Sequence, residues 1–265
     1  MEARRAAVAL LSCCQCGLIL PAPPPETCPT CGTFQAFLPF VGKAPEEPTQ
    51  GRAIDASTPI DPSSRLISTG NATWDDALSG AWGSGFARGS SVLVSGPAGS
   101  LKTTRLGALA DQFASRARAR ALFISAEQPS EDAQALIVRV HQPRKLLILG
   151  AERDGSRLDV AMAEVVRVRP CIVIYDSLQC FEAGGAGAGT ATAVTTALRT
   201  MRMLAMRTGH VAVIVSRCNA RGRPEGPANK IFDCDVVIRL SKRNVTVEKN
   251  RFGRAPRTVR LPPTR

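Results

Sequence analysis

The pattern of apolar and polar residues predicts buried strands that alternate with helices. Apolar runs of four to six residues recur after residue 90, and the stretches between them have helical character. Such alternation predicts an α/β fold, with a largely parallel sheet covered by helices on both faces. After a run that begins at Ser91, the predicted strands are Ala121–Ser125, Leu146–Leu149, Cys171–Tyr175, Val211–Val215 and Val236–Leu240, and an edge ribbon continues through Val245–Val247 and Thr258–Leu261.

A phosphate-binding loop is predicted where the first of these strands gives way to a helix. The pattern G-x-x-x-x-G-K-[ST] is matched at Gly96, Lys102 and Thr103, and it stands in the strand–loop–helix context that it requires. Backbone N–H groups of the turn and of the helix N-terminus would converge on one anion. An ordinary glycine-containing β–α turn is the alternative. The residues expected to contact ATP are Gly96, Pro97, Ala98, Gly99, Ser100, Leu101, Lys102, Thr103 and Thr104.

Within this loop, Lys102 is expected to reach the β- and γ-phosphates and Thr103 to ligate Mg²⁺. Leu101 departs from the pattern, because a glycine is usual at its position. That glycine permits a close backbone approach to phosphate or a dihedral angle that a Cβ disfavours. A left-handed residue other than glycine costs roughly 1–2 kcal/mol, so Leu101 is expected to weaken nucleotide binding without abolishing it.

Carboxylates follow two of the predicted strands. In parallel sheets, ligands bind at the carboxyl ends of the strands. Glu127 follows Ala121–Ser125 and is placed to orient or deprotonate an attacking water, although a glutamate that favours a helix start is the alternative. Asp176 follows four apolar residues, as in a Walker B strand, and is expected to support Mg²⁺.

Two loops of unusual composition are expected at the same edge of the sheet. Residues 182–190 are mostly glycine and alanine and are predicted to be mobile, and residues 219–230 are glycine- and proline-rich and basic. Arg221, Arg223 and Lys230 in the second loop are candidates for contacts with a nucleic-acid backbone. Two solvated connecting loops are the alternative.

The charge balance also favours a polyanionic partner. The 265 residues carry a formal net charge of +12, which favours nucleic acid over a membrane surface. An arginine-rich coding bias is the other explanation. No apolar run approaches the ~20 residues of a membrane span, and residues 6–11 are too short for the apolar core of a signal peptide. We therefore expect a cytoplasmic protein without membrane contact.

The cysteines near the N-terminus predict a zinc ribbon. Two C-x-x-C-G knuckles, separated by a proline-rich loop, are typical of a structural zinc site. Cys14 is the surplus thiol, with the possibility left open that it replaces Cys13. A disulfide framework is disfavoured in a cytoplasmic chain, and so small a unit would depend on the metal to fold. The predicted Zn²⁺ ligands are Cys13, Cys16, Cys28 and Cys31.

Three segments follow from this organisation. Residues 1–37 are assigned to the zinc ribbon. Residues 38–64 are rich in proline, glutamate, threonine and small residues and are predicted to be a linker. Residues 65–265 are assigned to the ATPase core.

Several of these motifs resemble, in identity and order, those of the bacterial RadA (Sms) family of RecA-like ATPases. They are the paired C-x-x-C-G knuckles, Arg65 with Ser68-Thr69-Gly70, the phosphate loop, Ser125-Ala126-Glu127, Asp176-Ser177-Leu178-Gln179 and Lys249-Asn250-Arg251-Phe252-Gly253. The resemblance covers essentially the whole chain, and its specificity comes mainly from the last motif combined with the ribbon.

The resemblance implies a RecA-like core and a role in recombination-linked DNA repair. Single-stranded or branched DNA, a hexameric ring and a recombinase partner are the implied interactions. Lys249 and Arg251 would reach the γ-phosphate bound to a neighbouring subunit, whereas on the alternative interpretation they cap a turn or bind DNA within their own subunit. Arg217 and Arg221 stand where the family carries a Gly-His and a nearby lysine that sense nucleotide or touch DNA. The family's Lon-protease-like domain has no counterpart here, so a short, diverged form is expected.

Three functions follow from these observations. The leading hypothesis is an ATPase that processes or translocates on DNA. The second is a nucleotide-binding DNA scaffold with weak or no hydrolysis, because Leu101 alters the phosphate loop. A KaiC-like regulatory ATPase that acts on proteins is the third, and the ribbon, the basic charge and the motif at residues 249–253 argue against it.

Overall fold

The computed structural model describes residues 10–13, 19–21, 26–27, 37–39, 61–219, 224–225 and 233–263. Among these residues there are five α-helices and thirteen strands, and between residues 91 and 216 strands and helices alternate as the apolar pattern predicts. The helices are α1 (Ala72–Ala77), α2 (Lys102–Ala117), α3 (Ser130–Val138), α4 (Leu158–Val168) and α5 (Ala191–Thr208). The strands are β1 (Leu10–Cys13), β2 (Ile19–Pro21), β3 (Phe37–Pro39), β4 (Leu66–Ile67), β5 (Phe86–Ala87), β6 (Ser91–Ser95), β7 (Ala121–Ser125), β8 (Leu146–Leu149), β9 (Ile172–Asp176), β10 (Val211–Ser216), β11 (Val236–Leu240), β12 (Asn244–Asn250) and β13 (Arg257–Arg260).

An eight-stranded sheet forms the centre of the fold, with the order β13-β12-β11-β6-β10-β9-β7-β8. The six strands from β6 to β11 run parallel to one another, whereas β12 and β13 are antiparallel. The predicted α/β fold with a mostly parallel sheet and an edge ribbon is therefore confirmed. The strands coincide with the predicted runs to within a residue or two, except that β12 extends through Lys249 to Asn250.

The sheet separates two apolar layers because its parallel strands alternate their side chains between the two faces. Val92 and Val94 face the layer formed with α1, α2 and α3, whereas Leu93 faces the layer formed with α4 and α5. All five residues of β6, β7 and β9 are buried, as expected for central strands covered on both sides. The parallel arrangement places the carboxyl ends of these strands at one edge of the sheet.

Two smaller sheets lie before this core. Strands β4 and β5 pair antiparallel and lead the chain into β6. Strands β1, β2 and β3 form an antiparallel sheet in the order β2-β1-β3, and the Arg207 guanidinium of α5 donates a hydrogen bond to the Cys13 carbonyl at 2.7 Å. Among the described residues, no helix has the length and apolarity needed to cross a bilayer.

Candidate nucleotide-binding site

The loop between β6 and α2 has the geometry of a phosphate-binding loop. It turns sharply after Ser95 so that α2 begins at Lys102, with the first N–H groups of the helix directed at the loop. The Lys102 ammonium donates hydrogen bonds to the carbonyls of Gly96 at 2.8 Å and Pro97 at 3.1 Å. A Cβ at Gly96 would lie 2.3 Å from the Leu240 carbonyl oxygen, so the loop requires glycine at this position.

Leu101 adopts the left-handed conformation, with φ 64° and ψ 35°. This is the dihedral for which the sequence pattern favours glycine, so the site of predicted strain is found where it was expected. The leucine side chain is 37 % exposed rather than packed in the core. The conformation of the loop is therefore retained, at an expected backbone cost of roughly 1–2 kcal/mol.

Asp176 and Thr103 lie next to each other at the carboxyl end of the sheet. The Thr103 hydroxyl donates a hydrogen bond to Asp176 Oδ2 at 2.6 Å. Asp176 is the last residue of β9 and is only 8 % exposed. Burial raises the pKa of the Asp176 carboxyl above its ordinary value, and the hydrogen bond from Thr103 acts in the opposite direction. Hydroxyl and carboxylate oxygens are the ligands that Mg²⁺ prefers, so this pair is suited to hold the ion.

Glu127 lies two residues beyond the end of β7, beside the same site. Its strand pairs in parallel with β9, and Ser125 is in register with Asp176. The Glu127 carboxylate accepts a hydrogen bond from the Ser177 hydroxyl at 3.3 Å and lies 3.1 Å from a guanidinium nitrogen of Arg217. These contacts direct the carboxylate toward the neighbouring strand ends, and Glu127 is not in the first turn of a helix because α3 begins at Ser130.

A cavity of about 680 Å³ lies beside the Glu127 carboxylate. It is flanked by the two loops of unusual composition, residues 182–190 and the loop that follows β10. Residues 182–190, predicted to be mobile, are held at both ends: Glu182 donates to the Ser156 carbonyl, and the Thr190 side chain caps α5. Of the predicted DNA-contacting residues, Arg217 is described, whereas Arg221, Arg223 and Lys230 lie outside the described residues. The cavity is lined by Gln179, Cys180, Ala188, Gly189, Ala191, Val194, Arg217 and Glu225.

Lys249 and Arg251 lie on the opposite side of the sheet from the site, where the parallel strands begin. The Lys249 ammonium donates to the Cys234 carbonyl at 2.7 Å, and the Arg251 guanidinium to Asp235 Oδ1 at 2.9 Å. Asp235 in turn accepts hydrogen bonds from the N–H and the hydroxyl of Ser91, the first residue of β6. The phosphate loop follows Ser95, at the other end of β6. Four residue steps along the strand separate Ser91 from Ser95, a distance of about 13 Å. The chain therefore does not bring this basic pair to its own phosphate loop.

Sequence reasoning missed two side chains of the site. Gln179 and Cys180 lie in the 3₁₀ helix Leu178–Cys180 and contact Arg217 through an amide oxygen and a thiol. The Asp-Ser-Leu-Gln motif at residues 176–179 was the available signal, because it places both residues directly after a strand end. Their contact with Arg217, almost 40 residues later, depends on the neighbouring positions of β9 and β10.

Of the four predicted zinc ligands, the structure describes one. Cys13 is buried at the end of β1, whereas Cys16, Cys28 and Cys31 lie outside the described residues. Within the part of the chain that is described, no group of three or more histidine, cysteine, aspartate or glutamate side chains is arranged to hold a metal ion. The ribbon assignment stays a prediction.

Comparison with solved structures supports the fold. The chain is similar to a KaiC-like protein from Pyrococcus horikoshii OT3, with a TM-score of 0.56 and 18 % sequence identity. The similarity covers 75 % of this chain and 99 % of that protein. The chain therefore shares its α/β fold with this KaiC-like protein.

Comparison with curated proteins identifies the relatives of the chain. It is 30 % identical to the DNA repair protein RadA of Mycolicibacterium smegmatis over 247 residues, which cover 86 % of this chain and 51 % of that protein. The RadA proteins of Brucella abortus (27 %) and Mycobacterium tuberculosis (30 %) match 64 % and 68 % of the chain. No protein-family model matches, and the chain spans about half the length, or less, of these curated relatives. The chain is a relative of the bacterial RadA proteins, as its motifs predicted.

Proposed function

We propose that the chain is an ATP-dependent DNA-binding protein of recombination-linked repair that hydrolyses ATP while processing or translocating on DNA. The observation that carries this proposal is the convergence of Lys102, Thr103, Asp176 and Glu127 at one edge of the parallel sheet. The naming of its relatives as DNA repair proteins supports the same conclusion.

Each residue has a distinct role in the proposed reaction. Lys102 binds the β- and γ-phosphates and compensates their charge, and Thr103 with Asp176 holds Mg²⁺. Held there, Mg²⁺ would supply positive charge that neutralises the phosphates. Glu127 accepts a proton from the attacking water, which needs a carboxylate within hydrogen-bond reach of that water.

DNA is the proposed partner because of charge and position. The net charge of +12 favours a polyanion, and Arg217 stands beside the cavity at the nucleotide edge. Arg221, Arg223 and Lys230 belong to the same loop and would contact phosphates of single-stranded or branched DNA. Binding should depend strongly on salt and little on sequence.

ATP hydrolysis in this proposal requires a ring, with a hexamer as the expected form and a recombinase as a possible partner. Lys249 and Arg251 lie too far from the phosphate loop of their own chain, so they would act on the nucleotide of a neighbour. A permanently charged guanidinium is suited to phosphate oxygens. Mixing inactive Arg251→Ala and Lys102→Ala proteins should partly restore activity, because some interfaces then pair an intact loop with an intact Arg251. Demonstrated co-assembly on DNA without any recovery would mean that Arg251 does not act across the subunit interface.

The N-terminal segment is proposed to be a structural zinc ribbon over residues 1–37, joined by a linker over residues 38–64 to the ATPase core. Cys13, Cys16, Cys28 and Cys31 would supply four thiolates to about one zinc ion per chain. Cys28→Ser should lose the metal and Cys14→Ser should keep it, as measured by metal analysis of reduced, purified protein. Wild-type protein that carries no bound metal after purification under reducing conditions would contradict the assignment.

A nucleotide-binding DNA scaffold is the second candidate. The presence of Leu101 favours it, because a leucine stands where a glycine would permit a close backbone approach to phosphate. The contact between Glu127 and Arg217 favours it too, because the guanidinium occupies a carboxylate oxygen that would otherwise face an attacking water.

Steady-state ATP hydrolysis with and without single-stranded DNA separates the two candidates. The leading proposal predicts hydrolysis that DNA accelerates and that Lys102→Ala abolishes, whereas Lys145→Ala, at an exposed lysine, leaves it unchanged. Binding of a fluorescent ATP analogue without hydrolysis would favour the scaffold. Absence of both binding and hydrolysis would contradict both candidates.

A further inference from the structure

Arg217 connects the proposed catalytic carboxylate to the loop proposed to contact DNA. One guanidinium nitrogen, Nη2, lies 3.1 Å from Glu127 Oε1 and 3.2 Å from the Cys180 sulfur. The side chains of Arg217 and Glu127 are 48 % and 45 % exposed. A second anion can therefore approach the guanidinium from solvent without any change in the core.

Gln179 holds the backbone of this arginine in place. Its amide oxygen accepts a hydrogen bond from the Arg217 N–H at 3.1 Å, and its amide nitrogen donates to the Ser216 hydroxyl and to the Glu225 carbonyl, each at 2.9 Å. Gln179 is only 8 % exposed, so this amide is a fixed anchor. The base of the loop is therefore fixed to the segment that follows Asp176, while the arginine side chain extends along the surface.

Two anions compete for one guanidinium in this arrangement. While Arg217 is paired with Glu127, one carboxylate oxygen is engaged by the guanidinium and the side chain is held away from a free orientation toward an attacking water. A DNA phosphate presents the same kind of acceptor, and arginine binds carboxylate and phosphate with the same planar set of donors. Exchange of one partner for the other requires only rotation of exposed side-chain bonds.

We propose that Arg217 is a positioning residue that restrains Glu127 in the absence of DNA and releases it when a DNA phosphate takes the guanidinium. The proposal rests on the function proposed above. It names the contact through which DNA would accelerate hydrolysis. The residues that carry it belong to three different strand ends, those of β7, β9 and β10.

The first test compares hydrolysis by the wild type with that of Arg217→Gln, with and without an oligothymidylate single strand. The variant should hydrolyse ATP about 5-fold faster than the wild type without DNA, the upper range for an exposed ion pair. DNA should accelerate it little further. The control Arg167→Gln breaks another exposed pair, with Glu164 on α4, and should behave as the wild type. A variant with unchanged DNA-free hydrolysis and full stimulation by bound DNA would overturn the proposal.

The second test does not depend on hydrolysis. Alkylation of Cys180, followed by mass spectrometry of its peptide, reports whether Arg217 remains beside the thiol. Saturating oligothymidylate, with binding verified by fluorescence anisotropy, should shift the wild-type rate to that of DNA-free Arg217→Gln and leave the variant's rate unchanged. An unchanged wild-type rate, or an equal shift in both proteins, would overturn the proposal.

The two tests fail in distinguishable ways. If the wild type hydrolyses ATP no faster than Glu127→Gln, the proposed ATPase function is wrong, and the Cys180 measurement alone decides whether DNA displaces Arg217. If the wild type is active and DNA-stimulated but the Cys180 rate does not respond, the function stands and the role of Arg217 is wrong.

Discussion

The parallel strands of the central sheet have polar residues at both ends, and these are held in different ways. We call the side where the strands end the carboxyl edge and the side where they begin the amino edge. At the carboxyl edge, Glu127 and Arg217 are each about half exposed and form a contact that solvent reaches. At the amino edge, Asp235 is almost buried and accepts hydrogen bonds from both Ser91 and Arg251. The exposed Glu127 carboxylate can change partners, whereas the buried Asp235 carboxylate is held by all its donors, and only the half-exposed Arg251 guanidinium beside it is open to a ligand. Substitutions at the two edges should therefore affect different measurements.

The largest expected effect is at the carboxyl edge. Glu127→Gln keeps the shape of the side chain and removes its basic oxygen, so ATP hydrolysis should fall by about 10²–10⁴-fold while binding of a fluorescent ATP analogue is retained. Glu131→Gln, at an exposed glutamate in the first turn of α3, is the matched control and should keep wild-type turnover. Undiminished hydrolysis by Glu127→Gln would assign the base to another residue.

The next effect belongs to the amino edge and concerns stability. Asp235→Asn removes the charge that pairs with Arg251 and weakens the acceptor of two Ser91 hydrogen bonds, so the free energy of unfolding should fall by about 3 kcal/mol. Asp76→Asn breaks an exposed ion pair with Arg257 and should cost less than about 1 kcal/mol. Urea denaturation measures both. Equal losses in the two variants would remove the distinction between a buried network and a surface pair.

His210, which precedes β10 at the amino edge, should make stability depend on pH. The ring is 1 % exposed, and burial lowers the pKa of His210 from 6.5 to about 3. The unfolded chain therefore takes up a proton at a higher pH than the folded chain. The stabilisation is complete above pH 6.5 and declines as the pH falls toward 3. Between pH 6.5 and pH 5 the loss should be about 2 kcal/mol.

His210→Gln tests this assignment because glutamine cannot titrate in this range. Urea denaturation of the variant at pH 6.5 and pH 5 should show a smaller difference than the wild type. An equally large decline in the variant would trace the pH dependence to other groups.

The strands of the central sheet were predicted well from the sequence, because a strand that is buried on both faces has a continuous run of apolar residues. The pairing of β4 with β5 was missed, since strands of two residues, such as Leu66–Ile67, show no periodicity. The position of the phosphate loop was predictable from local chemistry, and the structure shows that the left-handed dihedral is one of the two reasons expected for a glycine at Leu101.

Contacts between distant strand ends were not predictable in the same way. Glu127 and Arg217 are 90 residues apart, and their contact depends on the order β10-β9-β7 and on the register between those strands. The position of Arg251 could not be predicted from the sequence either. Its motif was evident from the sequence, but only the topology places it at the amino edge, beside Asp235 and away from the phosphate loop.

The smallest predicted effect compares the two ends of α2, each of which has a left-handed residue other than glycine. Leu101 precedes the helix at the phosphate loop, and Arg118 follows it with φ 54° and ψ 37°. Glycine at either position relieves a cost of roughly 1–2 kcal/mol but loses part of that gain through the greater freedom of the unfolded chain. Each substitution should therefore raise the free energy of unfolding by about 1 kcal/mol.

Measurements of ATP binding distinguish the substitution at one end of α2 from the substitution at the other. Leu101→Gly removes the side chain where a glycine permits close backbone approach to phosphate, so the affinity for a fluorescent ATP analogue should rise by up to about 5-fold, the equivalent of about 1 kcal/mol. Arg118→Gly stabilises the same helix at its distant end and should leave that affinity unchanged. If Leu101→Gly instead binds ATP more weakly or turns over more slowly, the exposed leucine belongs to a working variant of the loop, because relief of the same strain at Arg118 controls for stability alone.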